Sequence, residues 1–225
     1  MIDQSLSNII SIESQPPFVL SQTTEISLTS KLISFHGILP RSHLTGGYLE
    51  DAVASSLDTD PELHGFVDWI PGSHNPHADI ILKNKNNFGI SVKSGTLNKE
   101  ILKISGHRLG KVGGDFNKIN KLLIEYRSDV TLCCVYNDFK YSIYYVDKDK
   151  FSYPNSSVDW TPIMGKRNGK VSKYVFRCIG DLIVEILPEL SWQVWWSIPL
   201  PLCRKGIIIN IPKYEIKSTN QKPLI

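Results

Sequence analysis

The chain has 225 residues, 41% hydrophobic and 21% charged, and its 25 Lys and Arg against 22 Asp and Glu give a formal net charge of +3. This size and apolar content suit one domain with its own core, and so weak a basic balance excludes a protein that coats nucleic acid by bulk charge alone. No apolar run approaches the ~18 residues that a membrane-crossing helix needs, and Met1 to Ser14 is polar and acidic where a signal peptide is basic and then apolar.

A soluble, cytoplasmic protein is therefore expected. The cysteines agree: Cys133, Cys134, Cys178 and Cys203 show no C-x-x-C spacing, and the adjacent pair lies inside an apolar run. That pattern predicts buried free thiols in a reducing compartment and disfavours a zinc site.

In chain order, residues 1–30 are rich in Ser, Thr and Gln and are broken by Pro16-Pro17, which predicts an arm or short strands. Leu49, Val53 and Leu57 recur every fourth residue and predict a helix from about Gly47 to Leu57. Phe66 to Ile70 reads as a short strand and Pro71-Gly72-Ser73 as a turn. Ala78 to Leu82 and Phe88 to Lys93 read as two strands joined by the polar turn Lys83 to Asn87, a hairpin pattern. Gly95 onward is loop-like, and a helix is predicted from about Asp115 to Tyr126, with Phe116, Ile119, Leu122 and Leu123 on one face. Strands follow at Val130 to Tyr136, Tyr141 to Val146, Tyr174 to Ile179 and Ile207 to Ile211. Asp181 to Ile186 fits helix or strand, and Trp192 to Ile198 is an apolar, aromatic run. Without repeats or low-complexity linkers, residues 1–225 read as one α/β domain, a central mixed sheet flanked by a few helices.

Three pieces of this pattern carry chemistry. Glu50 sits on the predicted helix, one position beyond its apolar stripe. Asp79 lies in the first hairpin strand. In the second, Ser91 and Lys93 project from one face while Ile90 and Val92 project from the other. If the strands pair, Asp79, Ser91 and Lys93 converge. One or two carboxylates suit a hard divalent ion such as Mg2+, and a nearby ammonium suits the charge that builds on a phosphate under attack. His64, His74 and His77 are near in sequence, but their spacing fits no standard zinc site.

Glu50, Pro76-x-x-Asp79 and Ser91-Val92-Lys93 resemble the motif of the PD-(D/E)XK nuclease superfamily, over roughly Gly47 to Gly95. Pro76 stands three residues before Asp79 instead of adjacent to it, and Ser91 replaces the usual second acid. In this the chain is similar to a subgroup of type II restriction endonucleases that carry Ser-Val-Lys and draw the missing carboxylate from elsewhere in the fold. Glu50 is the preferred donor here and Glu100 the alternative.

The resemblance implies a restriction-endonuclease-like core over about residues 45–135, with recognition or dimerisation elements in 136–225. It implies cleavage of double-stranded DNA by a homodimer using Mg2+, with Mn2+ able to substitute, and a cognate DNA methyltransferase encoded nearby. Asp79, Glu50 and the Val92 backbone carbonyl would hold the metal, Lys93 would position or activate the attacking water, and Ser91 would tune the site. A repair or recombination nuclease on the same fold, or a non-catalytic DNA-binding module with a decayed site, would share these residues.

Two basic stretches add candidate DNA contacts. The first runs from Ser94 through Lys99, Lys103, His107 and Arg108 to Lys111 and mixes glycine, hydroxyl and cationic groups suited to phosphate oxygens. The second is Lys166-Arg167-Asn168-Gly169-Lys170, which is equally a charged hairpin tip. Trp192, Trp195 and Trp196 have apolar neighbours and read as core or subunit interface rather than base-stacking platforms.

Overall fold

The run from Val130 to Val135 is buried on both sides, as expected of a strand enclosed in a large sheet. The computed structural model describes residues 16–39, 46–70, 78–125, 128–137, 139–151, 159–166 and 169–213. Among these, three α-helices and eleven strands occur. They are α1 (Gln22–Ile38), α2 (Gly46–Leu57), β1 (Val67–Asp68), β2 (Ile80–Leu82), β3 (Phe88–Asn98), β4 (Ile101–Arg108), α3 (Phe116–Glu125) and β5 (Val130–Asn137). The C-terminal half adds β6 (Lys140–Asp147), β7 (Thr161–Met164), β8 (Val171–Arg177), β9 (Ile183–Leu187), β10 (Gln193–Pro199) and β11 (Arg204–Asn210).

All eleven strands join one sheet, in the order β11-β6-β5-β3-β4-β10-β9-β8-β7, with β1 and β2 attached beside β3. The β3–β5 pairing is parallel and the other strand pairings are antiparallel. The chain is thus an α/β protein with a large mixed sheet and a few helices, as the sequence pattern predicts.

Alternation along β5 divides the core in two. Val130, Leu132 and Cys134 face a cluster built with Leu28 and Leu32 of α1 and Leu49, Val53 and Leu57 of α2. Cys133 and Val135 face the opposite cluster, which takes in Ile119 and Leu123 of α3 together with Val184, Val194 and Trp196. Helices therefore cover opposite faces at different parts of the sheet.

Several expectations need correction. Residues 22–30 are not arm or strand but the first part of α1, capped by the Ser21 hydroxyl, which accepts from the Thr24 N–H at 3.3 Å. The buried positions Thr24, Leu28, Leu32 and His36 recur every fourth residue, a helical stripe masked by β-branched and hydroxyl neighbours. The helix that carries Glu50 is consequently the second described helix, not the first. The segment after Gly95 is not a loop: β3 continues to Asn98 and turns through Lys99 and Glu100, at φ +46° and +62°, into β4. Two consecutive positive φ angles between paired strands make a two-residue hairpin turn whose twist matches the strands. Within Asp181 to Ile186 the strand β9 begins only at Ile183, after a turn that ends at Asp181, and β7 goes unforeseen because Thr161–Met164 is exposed throughout and contains Pro162.

Candidate active site

The candidate residues meet where β3 loses one of its neighbours. β5 lies along one edge of β3 from Ile90 to Gly95. On the other edge, β2 pairs with Phe88 to Ile90, and β4 begins only at Gly95. Between them the sheet forks, leaving the Val92 peptide facing a gap. The chain entering β2 crosses at this point: Asp79 N–H donates to the Ile90 carbonyl at 3.1 Å. Ala78 passes close above Gly89, where a Cβ would stand 3.0 Å from that of Ala78 and 3.6 Å from Asp129 Oδ2. Glycine at 89 therefore permits the crossing that aims Asp79 into the gap.

There one carboxylate oxygen gathers three donors. Asp79 Oδ2 accepts from Ser91 Oγ at 2.8 Å, Val92 N at 2.7 Å and Lys93 Nζ at 2.8 Å. The Lys93 and Asp79 side chains are both 21% exposed, so the pair is partly withdrawn from water yet reachable. Oδ1 accepts no hydrogen bond from a described residue. Since N–H and C=O of one strand residue point the same way, the Val92 carbonyl faces the same gap as its N–H. Cys133 stands beside Lys93 in the parallel register. Burial pushes its thiol well above the usual range, with Cys203 and Cys134 adding to the rise and Lys93 opposing it. A neutral thiol leaves Asp79 as the anion that holds Lys93.

The fork thus brings together Asp79, Ser91, Lys93 and the Val92 carbonyl. Glu50 is half-buried on α2, one residue after the fully buried Leu49. That helix packs over the face bearing Ile90 and Val92, whereas Ser91 and Lys93 project from the other. Glu100 occupies the β3–β4 turn, seven residues past Lys93, which at ~3.3 Å per strand residue is roughly 20 Å away. Among the described residues no three His, Cys, Asp or Glu side chains come together as a metal cluster. Asp129 is an acid that sequence reasoning missed. It lies beside the fork, where Oδ2 accepts from Gly89 N at 2.8 Å and Oδ1 from Lys148 Nζ at 3.0 Å. Its signal was its place immediately before the apolar run of β5.

The basic candidates scatter. Ser94 is exposed on β3, just past the fork, and Lys99 is in the hairpin turn. Arg108 ends β4 opposite Gln193, and Lys166 and Lys170 belong to the β7–β8 connection, where Gly165 N–H donates to the Lys170 carbonyl at 2.8 Å. The hairpin-tip reading suits that segment. His107 and Lys111 have described backbone only, and His74, Pro76, His77 and Arg167 lie outside the described residues. His64 is exposed and pairs with Asp58 at 3.3 Å. Trp192 and Trp196 belong to the second core cluster, as expected, but Trp195 lies on the other face beneath Lys103, whose Nζ is 5.5 Å from its ring centre. Three cysteines are buried free thiols, and the fourth, Cys203, is only half-buried.

Lys103 makes an ion pair while remaining partly exposed. It donates to Glu185 Oε2 at 3.1 Å, while Lys173 makes a short contact to Oε1. Burial works to raise the Glu185 carboxyl, but the hydrogen bonds from Lys173 and Lys103 outweigh it and hold the group below its ordinary 4.5. A depressed folded-state value stabilises the fold fully above the ordinary range, and that contribution is lost as pH falls through the depressed value. Urea unfolding carried from neutral pH to below 4.5 is therefore expected to show a steeper loss of stability in the parent than in Glu185→Gln. Parallel curves would discount the pair.

Comparison of the chain with protein-family models, with curated proteins and with solved structures found no match in any of the three.

Proposed function

We propose that this chain is a metal-dependent endonuclease of double-stranded DNA, a type II restriction endonuclease built on a restriction-endonuclease-like core. The observation that carries the reading is the fork, where the Asp79 carboxylate is held on one oxygen by Ser91, Val92 and Lys93 while the other accepts no hydrogen bond from a described residue, in a gap that the Val92 peptide also faces. These are hard oxygen donors, and one or two carboxylates with a carbonyl and waters is a donor set that suits Mg2+, with Mn2+ as a substitute. Asp79 and the Val92 carbonyl would hold the ion. Glu50 is the proposed second carboxylate: the gap lies in the plane of the sheet, so a side chain from a helix on the far face would reach it through the gap rather than across the strand. When bound, the ion polarises the phosphoryl group and lowers the pKa of a coordinated water.

The remaining roles belong to the chain. Ser91 and the Val92 N–H fix the Asp79 carboxylate in one orientation, so that it needs no rearrangement when substrate arrives. Lys93 orients the attacking water and offsets the charge that grows on the phosphate oxygens. A two-fold homodimer would match a palindromic target, each copy cutting one strand, and a neighbouring methyltransferase would protect the host's own sites.

The test is digestion of supercoiled plasmid and of a sequenced phage genome by the full chain with Mg2+, Mn2+ or EDTA. Ends at one recurring sequence, absent in EDTA, are expected. Lys93→Ala is expected to slow cleavage at least about 100-fold, the scale set by losing one preorganised electrostatic group. Binding without cutting in either metal would move the protein to the non-catalytic class, and cleavage at the parent rate by Lys93→Ala would remove the assigned site.

A further inference from the structure

Beyond the fork, the sheet face that carries Ser94 and Thr96, which is the face of Ile90 and Val92 and not that of Ser91 and Lys93, continues outward over β4, β10, β9, β8 and β7, with no α-helix over it among the described residues. Register places Thr96 beside Lys103, Lys103 beside Ser197, and Ser197 beside Ile183 and then Arg177. These side chains point away from the second core cluster, which takes the alternate residues Leu102, Ile198, Val184 and Phe176. At its outer end this face forms a groove of about 390 Å³ lined by Thr161, Ile163, Lys173, Arg177 and Glu185 among others.

The charge of this face is organised. Glu185, 8% exposed, takes Lys103 from β4 on one oxygen and Lys173 from β8 on the other. A single anchoring carboxylate thus pins two ammonium groups from strands three steps apart in the sheet, while each lysine stays more than a third exposed. Arg177 is exposed in the same groove. Three cations against one carboxylate leave a surplus of two positive charges, flanked by the hydroxyls of Thr96, Ser197 and Thr161. Pinned cations with hydroxyl donors beside them are what phosphate contacts require, since such contacts give affinity and register without reading bases. From β3 at the fork to β8 there are four strand steps, which at ~4.8 Å each is about 19 Å.

We infer that this face binds the phosphate backbone of the DNA duplex from the β7–β8 edge inward and meets the fork on the α2 side of the gap, opposite the face from which Ser91 and Lys93 project. It takes DNA as occupant on the strength of the nuclease reading above. The lysines of the Glu185 pair supply fixed contacts, and Arg177 supplies the outermost one.

The experiment is fluorescence anisotropy of a labelled duplex with the full chain in EDTA, titrated over a range of salt, for the parent, Arg177→Ala and, as a control, Lys118→Ala on α3. Arg177→Ala is expected to weaken binding about five-fold at moderate salt and to reduce the salt slope by about one, with unchanged thermal unfolding. Lys118→Ala is expected to bind as the parent does. Parent-like affinity and slope in Arg177→Ala would overturn the inference. So would a change confined to self-association in sedimentation, which would give the face to a second copy of the chain. Parallel plasmid digestion separates the two readings: a cutting Arg177→Ala with parent affinity removes the DNA track alone, whereas a non-cutting parent whose binding still depends on Arg177 removes the nuclease reading and keeps the track.

Discussion

Asp79→Asn is expected to abolish metal-dependent plasmid cleavage, by at least about 100-fold, while leaving the fold intact. The amide keeps the size of the carboxylate, and its oxygen still accepts from Ser91 and the Val92 N–H, so far-UV circular dichroism should be unchanged. What disappears is the negative charge that holds Lys93 at 2.8 Å and, with it, the charged oxygen that accepts no hydrogen bond from a described residue. A variant that unfolds at the parent temperature but no longer cuts would assign the loss to chemistry. Cleavage by Asp79→Asn within a few-fold of the parent would dismiss the fork as the active site. The same assay ranks Glu50: a second carboxylate at the gap requires that Glu50→Gln also lose most of the activity.

The largest effect on stability is expected from Leu132→Ala. Leu132 is fully buried and stands in register between Val92 on one side and Tyr145 on the other. It is also part of the cluster that joins α1 and α2 to the sheet. Truncation leaves a cavity that the flanking strands cannot close without breaking their ladders, so the cost falls at about 3–5 kcal/mol. In a chain of 225 residues this lowers the thermal midpoint by roughly 10 °C. Because Val92 rests against this side chain, cleavage at a temperature where the variant is still folded should fall as well. A midpoint shift under about 3 °C would mean that the core repacks around the gap.

What the sequence discloses about the fold follows from which forces act locally. α2 and α3 are legible because apolar residues recur every third or fourth position against polar neighbours. β5 and β6 are legible as apolar runs with a turn between them. α1 is hidden because its buried stripe includes Thr24 and His36, which hydropathy does not count as core. The β3–β4 hairpin is hidden because Lys99 and Glu100 make its turn in place of the usual Asn-Gly. At the site, Asp79, Ser91 and Lys93 were readable because a hairpin of known period brings them to one point. The fork was not readable: it depends on β4 joining β3 only from Gly95 onward, a long-range choice with no local marker. Lys103 reads in sequence as a free phosphate contact, yet its partner Glu185 lies 82 residues away.

The strand order also carries a consequence for how this protein comes into being. β10 reaches β4 across ninety residues, pairing Trp195 with Ser105, and β11 then returns to β6 at the opposite edge. The elements around the fork, β2, β3, β5 and β6, all lie earlier in the chain than either closure. Loop-closure entropy is met before such distant pairings repay it, so the sheet is completed slowly and last by its C-terminal strands. On a ribosome, the half bearing Asp79 and Lys93 emerges first, while the face bearing Lys173 and Arg177 follows. Synthesis itself therefore separates assembly of the fork from assembly of the surface that we propose for DNA.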